Sequence, residues 1–192
     1  MINLLPFNRL VTWIAIGYAG ALLLAAVISG SPLNFHVVLR NGTTLYLVLM
    51  LVTSVGWKYI WKKFPSLNQR FFPLLEGEWD MTIHWRQGQK CGVAKAKATI
   101  KQTFLAISME VSADDSDSET LMAQPKKDAE SGRPILYYVY RVTPKLKTEK
   151  SPAPYLGSAI LRFFPANGVG QLKGNYFTSA RTDGHFELSR PA

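Results

Sequence analysis

Tyrosines and arginines recur close together in the second half of this sequence, and they are the residues best suited to bind a small anionic molecule. An arginine guanidinium group can hold phosphate oxygens through paired hydrogen bonds, and a tyrosine ring can stack on a nucleobase. The candidates for such a site are Tyr138, Arg141, Arg162, Tyr176, Thr178 and Arg181. This mixture predicts a site for a small nucleotide. Tyrosine is also common in ordinary strands, so a purely structural role for the rings is the alternative.

The sequence has no pattern typical of an enzyme. Its histidines, His36, His84 and His185, have no cysteine or carboxylate at the spacing of a metal site. Cys91 has no identifiable base, no serine lies in a nucleophile elbow, and no glycine-rich phosphate loop opens a helix. We therefore expect a binding protein that is not an enzyme and that needs no metal or cofactor.

The elements that must position the candidate residues are β-strands. From Glu78 onward, apolar and polar residues alternate with the period of a half-buried strand. The predicted strands run from Glu78, then over Val93–Gln102, Phe104–Val111, Glu119–Gln124, Pro134–Val142, Tyr155–Phe164, Gln171–Thr178 and Gly184–Arg190. The links are too short for a crossover helix, and the acidic run Ala113–Ser118 is interpreted as a solvated loop. We therefore predict an all-β domain, an eight-stranded antiparallel β-barrel.

Small residues at inward positions indicate space inside this barrel. They are Ala94, Ala96, Ala98, Gly157, Ala159 and Gly174. A barrel of eight strands filled with large side chains would have no room for a ligand, whereas small ones leave a cavity. The alternative is that they only offset bulky neighbours such as Trp79, Trp85, Phe163 and Phe186. Alternation also puts Arg141 and Tyr138 on opposite faces of their strand, so only one of them can face the interior.

The N-terminal part predicts a membrane anchor in residues 1–63. Leu10–Ile28 has no charge and Gly42–Ile60 has only Lys58, so each is long enough to span a bilayer. Basic residues precede the first span and follow the second, which places both termini in the cytoplasm. Residues 64–76 form a short tether, whose aromatic residues either lie at the membrane interface or dock onto the base of the barrel. The barrel domain then comprises residues 77–192.

The charge distribution argues against binding to duplex nucleic acid. The chain has 22 basic and 13 acidic residues, which gives a net charge of +9. Five of the basic residues and none of the acidic ones lie before Phe64. The barrel has no clustered run of lysine and arginine, although its charge is compatible with membrane lipid or an anionic ligand nearby.

The order of these parts resembles the two-transmembrane β-barrel effectors of bacterial CBASS anti-phage defence. The resemblance rests on the pair of spans, the aromatic tether, the opening Leu75–Trp79 and the closing Gly174–Gly184. It implies a cytoplasmic, lipocalin-like barrel that binds a cyclic dinucleotide made by a partner nucleotidyltransferase. It further implies that binding drives homo-oligomerisation, and that the spans then disrupt the bacterial inner membrane.

Self-association has one further indication in the sequence. Gly17, Ala21 and Ala25 recur every four residues, and small residues at this spacing let helices approach closely. Packing against the second helix of the same chain is the alternative. Two other functions also stay open at this point, a lipid-binding barrel at the membrane surface and a non-catalytic scaffolding membrane protein.

Overall fold

The computed structural model describes residues 7–30, 35–64, 66–67, 72–145, 153–165 and 170–191. Its helical part consists of α1 (Phe7–Ser29), α2 (Phe35–Leu51) and α3 (Trp57–Lys63). A π-helical segment, Val52–Gly56, joins α2 to α3. The Tyr18 hydroxyl of α1 donates a hydrogen bond to the Val38 carbonyl of α2 at 3.0 Å, so the two helices are in contact.

One helix in this described part is long and apolar enough to cross a bilayer. It runs from Arg40 to Lys63, has 24 residues and a mean hydropathy of 1.3, and contains the predicted second span. At the predicted first span, the apolar helix Thr12–Ile28 is shorter. The arrangement with two membrane spans therefore stays a prediction.

The barrel domain has eight β-strands among the described residues. They are β1 (Gly77–Gln87), β2 (Lys90–Gln102), β3 (Ile107–Ala113), β4 (Ser116–Lys127), β5 (Pro134–Pro144), β6 (Tyr155–Phe164), β7 (Gln171–Thr178) and β8 (Asp183–Ser189). Each strand pairs antiparallel with the next, and β8 returns to β1 with Met81 opposite Leu188. The predicted closed, eight-stranded antiparallel barrel is confirmed.

The acidic run is the clearest error in the predicted strand pattern. The structure ends β3 at Ala113 and begins β4 at Ser116, so only Asp114 and Asp115 lie in the turn. Asp117 belongs to β4, where its carboxylate accepts a hydrogen bond from Ser112 at 2.8 Å and pairs with Lys145 at 3.3 Å. Acidic residues are tolerated in this strand because their side chains have partners on the outer face of the sheet.

The wall of the barrel is weakest between β3 and β4. Only Val111 and Ser112 pair with β4 in regular register, opposite Ser118 and Asp117. Further along, the Thr120 hydroxyl accepts a hydrogen bond from the Met109 N–H at 2.7 Å and donates one to its carbonyl at 2.8 Å. A single side chain thus substitutes for the missing backbone ladder at this point.

The segment before β1 docks onto one end of the barrel and closes it. Phe72 and Leu75 are completely buried, and the Trp61 indole of α3 donates a hydrogen bond to the Phe72 carbonyl at 3.0 Å. Lys58 and Glu76 form an ion pair at 2.7 Å. Phe72 and Leu75 of the tether thus dock onto the barrel, which was one of the two alternatives for this segment. Pro65 and Phe71 lie outside the described residues. We call this closed end, which packs against α3, the base.

Candidate ligand-binding cavity

The end of the barrel opposite the base contains a cavity of about 240 Å³. Its lining comes from the far halves of the strands and from the turns that join them. We call this opening, between the β3–β4 turn and the β7–β8 hairpin, the mouth. Because α3 contacts the base through Trp57 and Trp61, the mouth faces away from α3.

Two stacked pairs of aromatic rings form the wall of the cavity. The Tyr138 and Tyr140 rings of β5 lie 4.8 Å apart at an interplanar angle of 17°, and those of Tyr176 and Phe186 lie 4.1 Å apart at 12°. Tyr140 and Phe186 join the pairs, with ring centroids 6.1 Å apart. The wall exists because alternate residues of each strand point inward, which brings Tyr138 and Tyr140 to the same face. It offers flat, apolar surfaces to a ligand.

The predicted small residues differ in what surrounds them. A Cβ atom at Gly157 would collide with the Tyr140 ring, so that glycine accommodates an aromatic side chain and leaves no empty space. A Cβ atom at Gly174 would collide with the backbone carbonyl of Ile160. Ala98 and Ala159 are buried in the core, and of the predicted small residues only Ala94 lines the cavity. Gly157 is therefore offset by a bulky ring, but that ring belongs to Tyr140, which was not among the bulky residues named from the sequence.

The tyrosine hydroxyls of the cavity differ in whether they already have a partner. The Tyr138 hydroxyl donates a hydrogen bond to the Met109 carbonyl at 2.9 Å. Those of Tyr140, Tyr155 and Tyr176 have no hydrogen-bond partner among the residues that the structure describes. Because their rings line the cavity, these hydroxyls can donate to or accept from a ligand.

The cavity is uncharged at neutral pH except at its rim. Burial raises the pKa of Tyr138 and of Tyr176 to about 12, and it raises the pKa of Tyr140 further. All three phenols therefore stay protonated at neutral pH. Within the described lining there is no lysine, arginine or histidine, and the one ionisable carboxyl group is that of Asp115 in the β3–β4 turn.

The six residues predicted to bind a ligand are not all brought together. Tyr138, Tyr176 and Thr178 line the cavity. The exposed Arg141 pairs with Glu119 at 3.4 Å on the outer face of the barrel. Arg162 is also exposed on the outer face. The structure therefore separates these two arginines from the cavity, because strand alternation turns Arg141 away from the face that carries Tyr138.

Arg181 has a third kind of position, in the hairpin between β7 and β8. It is exposed, and its φ of 59° lies in the left-handed region that glycine usually occupies. Thr178 and Thr182, on either side of it, line the cavity. Arg181 is therefore at the rim of the mouth.

Several lining residues were missing from the predicted site. The most important are Tyr140 and Tyr155, with Asp115 and Ser116 at the rim. Tyr140 lies two residues after Tyr138 and therefore faces the same side of the strand, so alternation alone could have added Tyr140 to the predicted site. Asp115 and Ser116 could not be placed, because the acidic run did not predict a tight turn at the mouth.

These features define a class of protein, a closed antiparallel β-barrel with an aromatic-lined cavity at one end. Among the described residues, no group of three or more histidine, cysteine or acidic side chains could hold a metal ion. Residues 71–190 match the family model described as Cap15, cyclic dinucleotide receptor domain.

A curated relative, CD-NTase-associated protein 15 of Staphylococcus schleiferi, is 32% identical over 134 residues, which cover 70% of this chain and 68% of the relative. The chain belongs to the Cap15 cyclic dinucleotide receptor domain family. The family resemblance predicted from the sequence is thereby confirmed, and this family is a receptor family and not a known catalytic one.

Proposed function

We propose that this protein is a cyclic-dinucleotide-activated membrane effector of a bacterial anti-phage system, and that the cavity is its ligand site. The observation that carries the proposal is the stacked aromatic wall with three available tyrosine hydroxyls. Aromatic rings bind nucleobases by stacking, and hydroxyls can satisfy the polar edges of the bases. Membership of a cyclic dinucleotide receptor family favours the same ligand class.

The proposed arrangement puts the site where a soluble messenger can reach it. The helix Arg40–Lys63 crosses the inner membrane, and α3, which is the C-terminal end of this helix, holds the base of the barrel near the bilayer. The mouth therefore opens toward the cytoplasm. A lipid-transfer barrel would instead need its mouth at the bilayer surface to take up an acyl chain. The position of the mouth relative to α3 therefore favours a nucleotide ligand over a lipid.

Membrane disruption in this proposal depends on oligomerisation through α1. Gly17 and Ala21 are exposed, and a Cβ atom added at Gly17 would meet no atom within 4 Å. This face is therefore available for close packing against α1 of another copy. Ligand binding increases the number of membrane anchors that associate, and the assembled helices then permeabilise the bilayer.

The test combines binding with membrane leakage in one preparation. Full-length protein in dye-filled liposomes receives a panel of cyclic dinucleotides, and both affinity and dye release are measured. We expect a member of the panel to bind and to trigger release. A folded protein that binds none of them, or that copurifies with acyl chains in its cavity, would contradict the proposal.

A pair of variants separates oligomerisation from ligand binding. Ala21→Leu should bind ligand normally but release little dye, because the larger side chain keeps neighbouring helices apart while staying compatible with lipid. Ala19→Leu is the matched control, since it makes the same exchange on another face of α1. Equal dye release from both variants would exclude the Gly17–Ala21 face from assembly.

A further inference from the structure

The cavity is too small to enclose a whole cyclic dinucleotide. Its volume is about 240 Å³, whereas sites for drug-sized ligands range over about 300–1,000 Å³. A cyclic dinucleotide contains two nucleosides and two phosphates. Only part of such a ligand can therefore lie inside the barrel.

The chemistry of the lining decides which part enters. The described lining has no cationic side chain, and the Asp115 carboxylate lies at its rim. Among the described lining residues, a phosphate inside would find no cation to pair with, and the loss of its hydration there is strongly unfavourable. A nucleobase is flat and uncharged, so it can stack on the aromatic wall and use the free hydroxyls of Tyr140 and Tyr176.

A cation suited to the excluded phosphates lies at the rim, on the opposite side of the mouth from Asp115. Arg181 has no acidic partner within the described ranges, whereas Arg86 and Arg141 each pair with a carboxylate. Its left-handed backbone conformation would favour glycine. An arginine at this position therefore adds a charge at the mouth at some cost to the stability of the hairpin.

We infer that the cavity takes a single nucleobase of the cyclic dinucleotide, and that the phosphodiester ring stays outside the mouth against Arg181. This inference rests on the proposed function and adds the orientation of the ligand to it. The base stacks on the aromatic wall, the phosphates remain partly hydrated, and the second base lies beyond the rim.

Variants of Arg181 test the position of the phosphates. Affinity for the cyclic dinucleotide that binds best to the full-length wild type is measured by calorimetry at low and high salt. Arg181→Gly should weaken binding about tenfold at low salt and reduce its salt dependence. Arg181→Lys should retain most of the affinity, and Arg162→Ala, which removes an outer arginine, should behave as wild type.

A stability measurement excludes a merely structural role for Arg181. Arg181→Gly relieves the left-handed strain, so its unfolding temperature should equal or exceed that of wild type while its affinity falls. A structural role would instead lower both quantities. Unchanged affinity in Arg181→Gly would overturn the inference.

A fluorescent ligand tests the position of the bases. A cyclic dinucleotide with 2-aminopurine at both base positions should show, when bound, one base shielded from iodide quenching and one that remains accessible. Two shielded bases or two accessible bases would overturn the inference while leaving the proposed function intact. A folded wild-type protein that binds no cyclic dinucleotide in the panel would overturn both.

Discussion

The base and the mouth of the barrel are built from similar residues but use them differently. At the base, aromatic and aliphatic side chains are completely buried, and Gln102 ties the tether down by accepting a hydrogen bond from the Leu75 N–H at 2.7 Å. At the mouth, aromatic rings line a cavity and several of their hydroxyls have no partner in the described part of the chain. A buried polar group that is paired, such as the Gln102 amide, stabilises the fold, whereas an unpaired hydroxyl beside open space remains available to a ligand.

This comparison predicts that substitutions at the base change stability and that those at the mouth change affinity. The largest effect is expected for Phe72→Ala, which should lower the free energy of unfolding by about 3–5 kcal/mol because it leaves a cavity in a packed region. Chemical denaturation of the full-length protein in detergent measures this loss.

The exposed Phe177 provides a matched control for that exchange. Its side chain is 63% exposed on the outer face, so Phe177→Ala should change the free energy of unfolding by no more than about 0.5 kcal/mol. Similar losses in both variants would mean that the base does not stabilise the barrel as described.

Gly157→Ala is expected to lower both the stability of the barrel and its affinity for the ligand. The new methyl group collides with the Tyr140 ring and forces it into the cavity. Overpacking of this kind costs about 1–3 kcal/mol of stability, and the displaced ring should also weaken ligand binding. Unfolding and calorimetric titration of one preparation measure the two effects, and unchanged ligand affinity would place the ligand away from Tyr140.

Two tyrosines of the same strand are expected to respond in opposite ways to the loss of the hydroxyl. Tyr140→Phe removes an unpartnered hydroxyl, so stability should be maintained while affinity falls by about 0.5–1.5 kcal/mol, or roughly two- to tenfold. Tyr138→Phe removes the hydroxyl that bonds to the Met109 carbonyl. Tyr138→Phe should therefore lower the free energy of unfolding by about 0.5–1.5 kcal/mol and leave ligand affinity nearly unchanged. The opposite pattern in the two variants would reverse the roles assigned to these hydroxyls.

The smallest effect is expected from pH in the neutral range. The pKa of Tyr176 rises from 10.0 to about 12 on folding, so the folded protein keeps a proton that the unfolded chain releases above pH 10. Its contribution to stability is fully present below pH 10 and is lost as pH rises toward 12. Unfolding measured from pH 6 to 11 should therefore show the tyrosine effect only at the alkaline end, and Tyr176→Phe should reduce it. A decrease in stability between pH 6 and 9 that Tyr176→Phe abolishes would show that this phenol titrates near neutrality.

The sequence predicted the barrel well where alternation ran without interruption. The predicted bounds of β6 and β7 agree with the structure, because turn residues flank an unbroken period of two. The prediction was wrong at β4, where a register shift between Thr120 and Met122 breaks the alternation and the acidic residues resembled a loop. A bulge depends on the neighbouring strand and cannot be inferred from one strand alone.

The candidate site was less predictable because it depends on three-dimensional placement. Alternation along the strand could place Arg141 and Tyr138 on opposite faces, but it could not tell which of them faced the interior. The position of Arg181 depends on the geometry of a hairpin, and the volume of the cavity depends on how rings such as Tyr140 pack against Gly157. These properties arise from contacts between distant segments, so a list of suitable residue types identified only part of the lining.

Photocrosslinking shows whether a nucleobase enters the mouth of the barrel. A cyclic dinucleotide with 8-azidopurine bases is bound to the full-length protein, irradiated, and the modified peptides are mapped by mass spectrometry. Crosslinks to Tyr140, Tyr176 or Thr178, competed by unmodified ligand, are the predicted result. Competed crosslinks confined to outer-face residues such as Tyr137 and Phe177 would show that the bases bind outside the barrel.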